Sequence, residues 1–340
     1  MFRAGKIYSS DPILLQNALD FFIQWNSKES EIKVNTSGST GKPKQICLQK
    51  SQLILSANKT NQYFNLNAKT SAFLCLSMDT IAGKMMLVRA FVGNYEIRIE
   101  QASSNPLENC DESYDFMAIV PLQLATILNE TPEKLALIQT IIVGGAAVSN
   151  QLTAKLKALK KSIFQTFGMT ETVSHIALRK IGFEESLSYE ALQGVTFTAP
   201  EGNLEIHYPE LFQEPLLTND FIHLIDSTHF EWIGRTDFII NSGGVKFNPE
   251  VIEQKIASLI DIPFFISSTS DDLLGNKLTL VLESERSTSF KKSDFEALLT
   301  KYELPKMLAI IPVFERTSSG KINRKATASK ILIDDWKPLL

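Results

Sequence analysis

The segment Thr36-Ser37-Gly38-Ser39-Thr40-Gly41-Lys42-Pro43-Lys44 lies between two strand-like runs, residues 32–35 and 45–48. A loop of this composition offers backbone N–H groups, hydroxyls and two ammonium groups, which are the parts needed to hold a polyphosphate. It is not a Walker A loop. That pattern requires Gly at the place of Thr36, Ser or Thr at the place of Pro43, and a helix where a strand follows here.

Working outward from this loop, strand-like and helix-like patterns alternate through the first two-thirds of the chain. Asp11 and Pro12 read as cap and first residue of a helix, and a second helix follows Lys50. Apolar runs at 72–76, 116–120 and 140–143 each precede a helical pattern, at 81–90, 122–129 and 151–159. Repeated β-then-α order predicts an α/β domain with a largely parallel sheet. Between residues 195 and 233 short strands separated by Pro, Gly and Asn predict a small antiparallel or barrel-like insert. After Gly234 a Gly-Gly turn, a helix from 249 to about 259, strands near 264–267 and 278–283, and a helix over 290–299 predict a smaller α+β domain. The expected fold is therefore α/β, with a large N-terminal domain over 1–236 and a smaller C-terminal domain over 237–340.

Composition narrows the function. The 340 residues carry 34 Lys+Arg against 38 Asp+Glu, a formal net charge of −4, with no run of like charge. A nucleic-acid-coating protein is not indicated. Cys47, Cys75 and Cys110 form no C-x-x-C pair and are too few for a disulfide framework, so a reducing cytoplasm is expected. Residues 135–154 contain no Asp, Glu, Lys or Arg until Lys155 and could pass for a membrane span. The polar and glycine residues within them read instead as strand, turn and a helix starting at Ser149 or Asn150. The N-terminal MFRAGKIYSSDP has no apolar core, so no secretory signal is expected. His175, His207, His223 and His229 show no metal-ligand spacing.

Three further segments accompany the Ser/Thr/Gly-rich loop. Thr166-Phe167-Gly168-Met169-Thr170-Glu171 ends a strand-like run, and Glu171 offers the hard oxygen that Mg²⁺ prefers. Phe230-Glu231-Trp232-Ile233-Gly234-Arg235-Thr236-Asp237 runs on to Asn241-Ser242-Gly243-Gly244-Val245-Lys246. Last, Leu304-Pro305-Lys306 precedes Thr317-Ser318-Ser319-Gly320-Lys321-Ile322-Asn323-Arg324. In this order the four segments resemble the AMP-forming adenylating enzymes, from about residue 34 to 324.

That resemblance implies roles for particular residues. Thr36, Ser37, Gly38, Ser39, Thr40, Gly41 and Lys44 would hold the phosphates of ATP. Gly144, Gly145 and Ala146, with Thr166, Phe167 and Gly168, would line the adenine and acyl site. Glu171 would bind Mg²⁺, with Thr40 adding a hydroxyl and Thr170 beside it in the same motif. Asp220 and Arg235 would bind the ribose, Asp237 would be the hinge of a mobile C-terminal domain, and Gly243, Gly244 and Lys246 would flank the coenzyme A channel. Lys321 would act in adenylation. The implied partners are a small carboxylic acid, ATP and CoA, with no nucleic acid and no stable membrane insertion; a homodimer stays open.

The chain also departs from the family pattern. Thr218-Asn219-Asp220 stands where T-G-D is usual, Glu315 replaces a proline, and 77–83 read Ser-Met-Asp-Thr-Ile-Ala-Gly in place of an aromatic-His pair. The phosphate loop starts at residue 36, so a shortened first subdomain is expected. Residues 167–179 look most like the o-succinylbenzoate–CoA ligase branch of menaquinone biosynthesis. Lys84, Arg89, His175 and Arg179 are then candidates to meet a second carboxylate on the acid. The alternatives are a ligase for another aryl or short-chain acid, an adenylating partner of a carrier protein, or a non-catalytic nucleotide-binding protein.

Overall fold

The structure is a computed structural model that describes residues 3–35, 45–286, 290–316 and 322–339. The chain opens with β1 (Ile7–Tyr8) and α1 (Pro12–Asn26). Asp11 caps α1, its Oδ1 accepting from the Ile13 and Leu14 N–H groups at 2.8 and 3.3 Å. Pro12 takes the first helical position, where no amide is needed. A ribbon of β2 (Glu31–Asn35) and β3 (Gln45–Gln49) pairs antiparallel out to Asn35 and Gln45. Its strands bracket residues 36–44, which lie outside the described residues. α2 (Lys50–Tyr63) follows at once.

Strand and helix then alternate: β4 (Ser71–Leu74), α3 (Ile81–Gly93), β5 (Glu96–Ile99), β6 (Tyr114–Ile119), α4 (Pro121–Glu130), β7 (Ile138–Val143), α5 (Asn150–Ala158) and β8 (Ser162–Gly168). These strands pair in parallel in the order β1-β5-β4-β6-β7-β8. Period-two alternation sends Ala72, Leu74, Phe116 and Ala118 to one face, against α1, α2 and α3. Phe73, Cys75, Met117 and Ile119 go to the other, against α4 and α5. Met85 and Met86 are fully buried on α3 and belong to the first of these layers. Because β4 has β5 on one side and β6 on the other, the strand order reverses there. The carboxyl ends of these strands, where such sheets bind ligands, therefore open a crevice.

β9 (His175–Gly182) turns antiparallel on β8. It is followed by β10 (Tyr189–Ala191), β11 (Thr196–Thr198), β12 (Asn203–His207), β13 (Leu216–Asp226) and β14 (His229–Arg235). The antiparallel insert expected over 195–233 is present and joins the main sheet: β10 pairs with both β9 and β14, and the short strands complete one twelve-stranded sheet. Aromatic packing explains the continuity. Phe230 lies 5.3 Å from Tyr189 and 5.1 Å from Phe167 of β8, between ring centroids, so the β-rich core has no boundary with the main sheet.

Beyond Arg235 the chain forms β15 (Ile240–Ser242), β16 (Val245–Phe247), α6 (Pro249–Ile256), β17 (Phe264–Asp271), β18 (Gly275–Glu283), α7 (Lys292–Phe295), β19 (Met307–Ile311), α8 (Arg324–Ala328) and β20 (Lys337–Pro338). A four-stranded sheet, β17-β18-β19-β20, has its own core around Ile252, Ile256, Leu280, Phe295 and Leu308. The helix expected over 290–299 is only α7. Tighter turns succeed it, with the Leu298 and Leu299 N–H groups both donating to the Phe295 carbonyl. Residues 135–154 divide as read from sequence, with Ser149 Oγ capping α5 through Leu152 N–H. Among the described residues no helix is long and apolar enough to cross a membrane.

Candidate active site

The glycine turn after β7 and the end of β8 meet at the crevice. Gly144 N–H donates to Ile119 O at 3.1 Å, and a Cβ on Gly144 would come 2.3 Å from Thr166 Oγ1. Only glycine permits that approach, and Gly145 follows with φ +88°. Gly168 is equally confined, since a Cβ there would lie 2.3 Å from Ser174 O and 2.5 Å from the His175 Cα. Gly144, Gly145, Ala146, Thr166 and Gly168, distant in sequence, therefore sit at one end of adjacent strands. The Phe167 ring instead packs on Tyr189 and Phe230.

The turn from β8 to β9 is built around Thr172. Its hydroxyl meets Met169 N–H at 3.0 Å and donates to Ser174 O at 2.8 Å. Val173 N–H donates to Thr170 O, and Val173 is buried at φ +68°, an unusual state for a β-branched residue. This conformation leaves Glu171 exposed beside half-buried Thr170. Among the described residues no group of three or more His, Cys, Asp or Glu could hold a metal. A single exposed carboxylate fits a Mg²⁺ that arrives on substrate phosphates, because that ion keeps few protein ligands.

Asp220 and Arg235 are cross-strand partners in the β13–β14 register. Asp220 is buried; burial raises its pKa, opposed by a hydrogen bond from Trp232 Nε1 at 2.9 Å and by Arg235. The Arg235 guanidinium stands 3.9 Å from Asp220 and 2.7 Å from Asp237 Oδ2. The candidate ribose pair and the candidate hinge are thus one cluster. Gly243 and Gly244, at φ +59° and +81°, form the two-residue turn of the β15–β16 hairpin, which needs positive φ at both positions. Lys246 stands exposed on β16. Thr36, Ser37, Gly38, Ser39, Thr40, Gly41, Lys44 and Lys321 lie outside the described residues.

The four candidate cations separate clearly. Lys84 Nζ donates to Met78 O at 3.0 Å and lies over the Phe21 ring. Arg179 donates twice to Gln165 Oε1, at 3.0 and 2.8 Å, and stacks on Tyr189. Arg89 on α3 is only 2% exposed. Its Nη2 donates to Ser174 Oγ at 2.7 Å, its buried Nε has no hydrogen-bond partner, and no carboxylate among the described residues pairs with it. Burial pulls its pKa down to about 10, so it stays charged at neutral pH. His175 meets Thr60 Oγ1 at 3.2 Å, and burial, with Arg89 nearby, holds its pKa well below the usual value. Ser174, Thr60 and Trp232 escaped the sequence reading. Trp232 stands in the motif that carries Arg235, but only the register aims it at Asp220.

The profile of the AMP-binding enzyme family matches residues 34–206. An acyl-CoA synthetase (AMP-forming)/AMP-acid ligase II-like protein of Dyadobacter fermentans is 35% identical, with a TM-score of 0.63 over 94% of this chain and 95% of that one. The chain belongs to the AMP-binding enzyme family. The 2-succinylbenzoate–CoA ligase of Listeria monocytogenes is 23% identical over 88% of this chain and 70% of its own length. The o-succinylbenzoate–CoA synthetase of Bacillus subtilis, solved with its acyl-adenylate intermediate, shares the fold with a TM-score of 0.76 at 21% identity. That match covers 88% of this chain and 69% of the Bacillus chain.

Proposed function

We propose that this chain is an ATP-dependent acid–CoA ligase working through an acyl-adenylate, and that its acid is o-succinylbenzoate. The observation that carries the substrate is Arg89. A buried guanidinium without an acidic partner is costly, and such charges are normally matched. o-Succinylbenzoate has a succinyl carboxylate to be activated and an aromatic carboxylate that stays ionised at pH 7 and would meet Arg89. A fatty acid has no second anion to offer. Lys84 is the weaker candidate, since a backbone carbonyl already holds it. The names of the Listeria and Bacillus relatives support the same reading.

In the first half-reaction the succinyl carboxylate oxygen attacks the α-phosphorus of ATP and pyrophosphate leaves. Two anions meet, so positive charge must stand where negative charge develops. Residues 36–44 would supply amides and ammonium groups to the phosphates, Asp220 and Arg235 would hold the ribose, and Lys321 would complete the site. When bound, Mg²⁺ supplies charge against the phosphates, with Glu171 as its protein ligand. In the second half-reaction the CoA sulfur attacks the acyl carbonyl and AMP leaves. Lys321 must have moved away by then, which is why a hinge at Asp237 is part of the reading.

The test compares kcat/KM for o-succinylbenzoate, benzoate and medium-chain fatty acids with Mg·ATP and CoA. The expected result is a clear preference for o-succinylbenzoate. A preference for fatty acids, or no CoA-dependent thioester, would overturn the substrate and leave the family standing. For Glu171→Gln we expect adenylation at limiting Mg²⁺ to fall by about tenfold or more, with thermal unfolding unchanged, because the amide keeps the shape and removes the charge. Wild-type rates at limiting Mg²⁺ would remove Glu171 from the metal site.

A further inference from the structure

We propose that Arg324, clamped by Glu253, is a positioning residue for Lys321: it fixes residues 322–324, just after that lysine in sequence, and so serves adenylation but not thioester formation. The inference rests on the reading that Lys321 acts in adenylation.

Arg324 opens α8 three residues after Lys321. Its Nη1 and Nη2 reach Glu253 Oε1 and Oε2 at 2.6 and 2.7 Å, a two-pronged pair with directional as well as electrostatic hold. The guanidinium carbon lies 5.1 Å from the Phe238 ring centroid and 5.9 Å from that of Phe265. Glu253 also accepts from Ile266 N–H at 2.7 Å, which ties the clamp to β17. Burial pushes the Glu253 pKa up to about 7, and Arg324 opposes the shift.

Two further contacts show what the clamp locates. Arg316 and Ile322 bridge antiparallel, and Asn323 N–H donates to Glu315 O at 2.7 Å. Residues 315–316 and 322–323 are thereby paired, and Arg324 fastens this pair to α6. One turn earlier on α6, Glu250 lies 3.8 Å from Arg324 and accepts from Arg235 N–H at 2.6 Å. Arg324 is thus referenced through Glu250 to Arg235, where the large sheet ends. Lysine is a compact charge on a flexible stem, so its useful placement depends on its backbone. A displacement of about 1 Å in a catalytic group costs on the order of a hundredfold in rate.

The experiment measures both half-reactions for Arg324→Met, Arg324→Lys, Glu253→Gln and Lys321→Ala, using the best acid of the panel above. Adenylation is followed by pyrophosphate release, and thioester formation starts from the supplied acyl-adenylate and CoA. For Arg324→Met we expect adenylation to fall about tenfold to a hundredfold, thioester formation to hold within about threefold, and Arg324→Lys to recover part of the loss. Added to Lys321→Ala, Arg324→Met should lower adenylation no further, since a positioning residue has nothing left to position. Equal loss in both half-reactions, losses that multiply in the double variant, or no loss at all would overturn the proposal. If Arg324→Met does not fold, Arg324→Lys and Glu253→Gln give the same comparison. Intact adenylation in Lys321→Ala would overturn the reading beneath and this proposal with it; intact adenylation in Arg324→Met alone overturns only the proposal.

Discussion

Lys321→Ala is expected to reduce acyl-adenylate formation by about two to three orders of magnitude while leaving thioester formation from supplied acyl-adenylate nearly unchanged. The asymmetry follows from where charge develops. Attack on the α-phosphorus adds negative charge to a centre that already carries it, and a lysine is stabilising there only in the transition state. Attack of a thiol on the acyl carbonyl expels AMP and calls for no cation at that place. Substrate binding should change little, so the loss should fall on kcat more than on KM for ATP. The measurement is single-turnover pyrophosphate release beside CoA-dependent thioester formation, after thermal unfolding has shown the variant to be folded. Equal loss in the two half-reactions would refute the division of labour.

Part of this region was legible because its conformation is written in local composition. The Gly-Gly turn expected at Gly243-Gly244 is there, with positive φ at both positions, whereas the phosphate-loop reading of 36–44 lies outside the described residues. Strand and helix order also came through, since the apolar runs of β4, β6 and β7 are buried on both faces and stand out from amphipathic helices. What stayed hidden depends on register and long-range approach. Asp220 faces Arg235 through strand pairing, which no local pattern encodes. The antiparallel insert was legible over 195–233 from its Pro, Gly and Asn punctuation, but its junction with the main sheet, where β10 pairs with both β9 and β14, was not. Rings from β8, β10 and β14 cross that punctuation. The four candidate cations looked equivalent in sequence, and only packing singled out Arg89, which is 2% exposed with a buried Nε that has no hydrogen-bond partner among the described residues. The Arg324–Glu253 pair spans 71 positions and joins α6, which was legible in the sequence, to α8, which was not.

Arg89→Met should separate function from stability more sharply than any other substitution in this chain. Met keeps much of the apolar stem and removes the guanidinium. If the aromatic carboxylate of o-succinylbenzoate pairs with Arg89, the variant leaves that carboxylate buried and unmatched, a penalty of several kcal/mol. The expected consequence is a KM for o-succinylbenzoate raised by about a hundredfold, with KM for ATP nearly unchanged. Benzoate derivatives lacking a second carboxylate should lose much less, because nothing in them needs the cation. Stability should move the other way. Among the described residues Arg89 is a buried charge whose Nε has no hydrogen-bond partner; its Nη2 donates to the Ser174 hydroxyl and its Nη1 meets only the Met86 sulfur, at 3.8 Å. Removing an uncompensated buried charge relieves desolvation, so the unfolding temperature should hold or rise. An arginine retained for the architecture would behave in the opposite sense, with a lower unfolding temperature and an unaltered KM. Steady-state kinetics with the two acid classes, read beside thermal unfolding, decides between them: a fall in stability without a change in KM would end the case for Arg89 as the carboxylate partner.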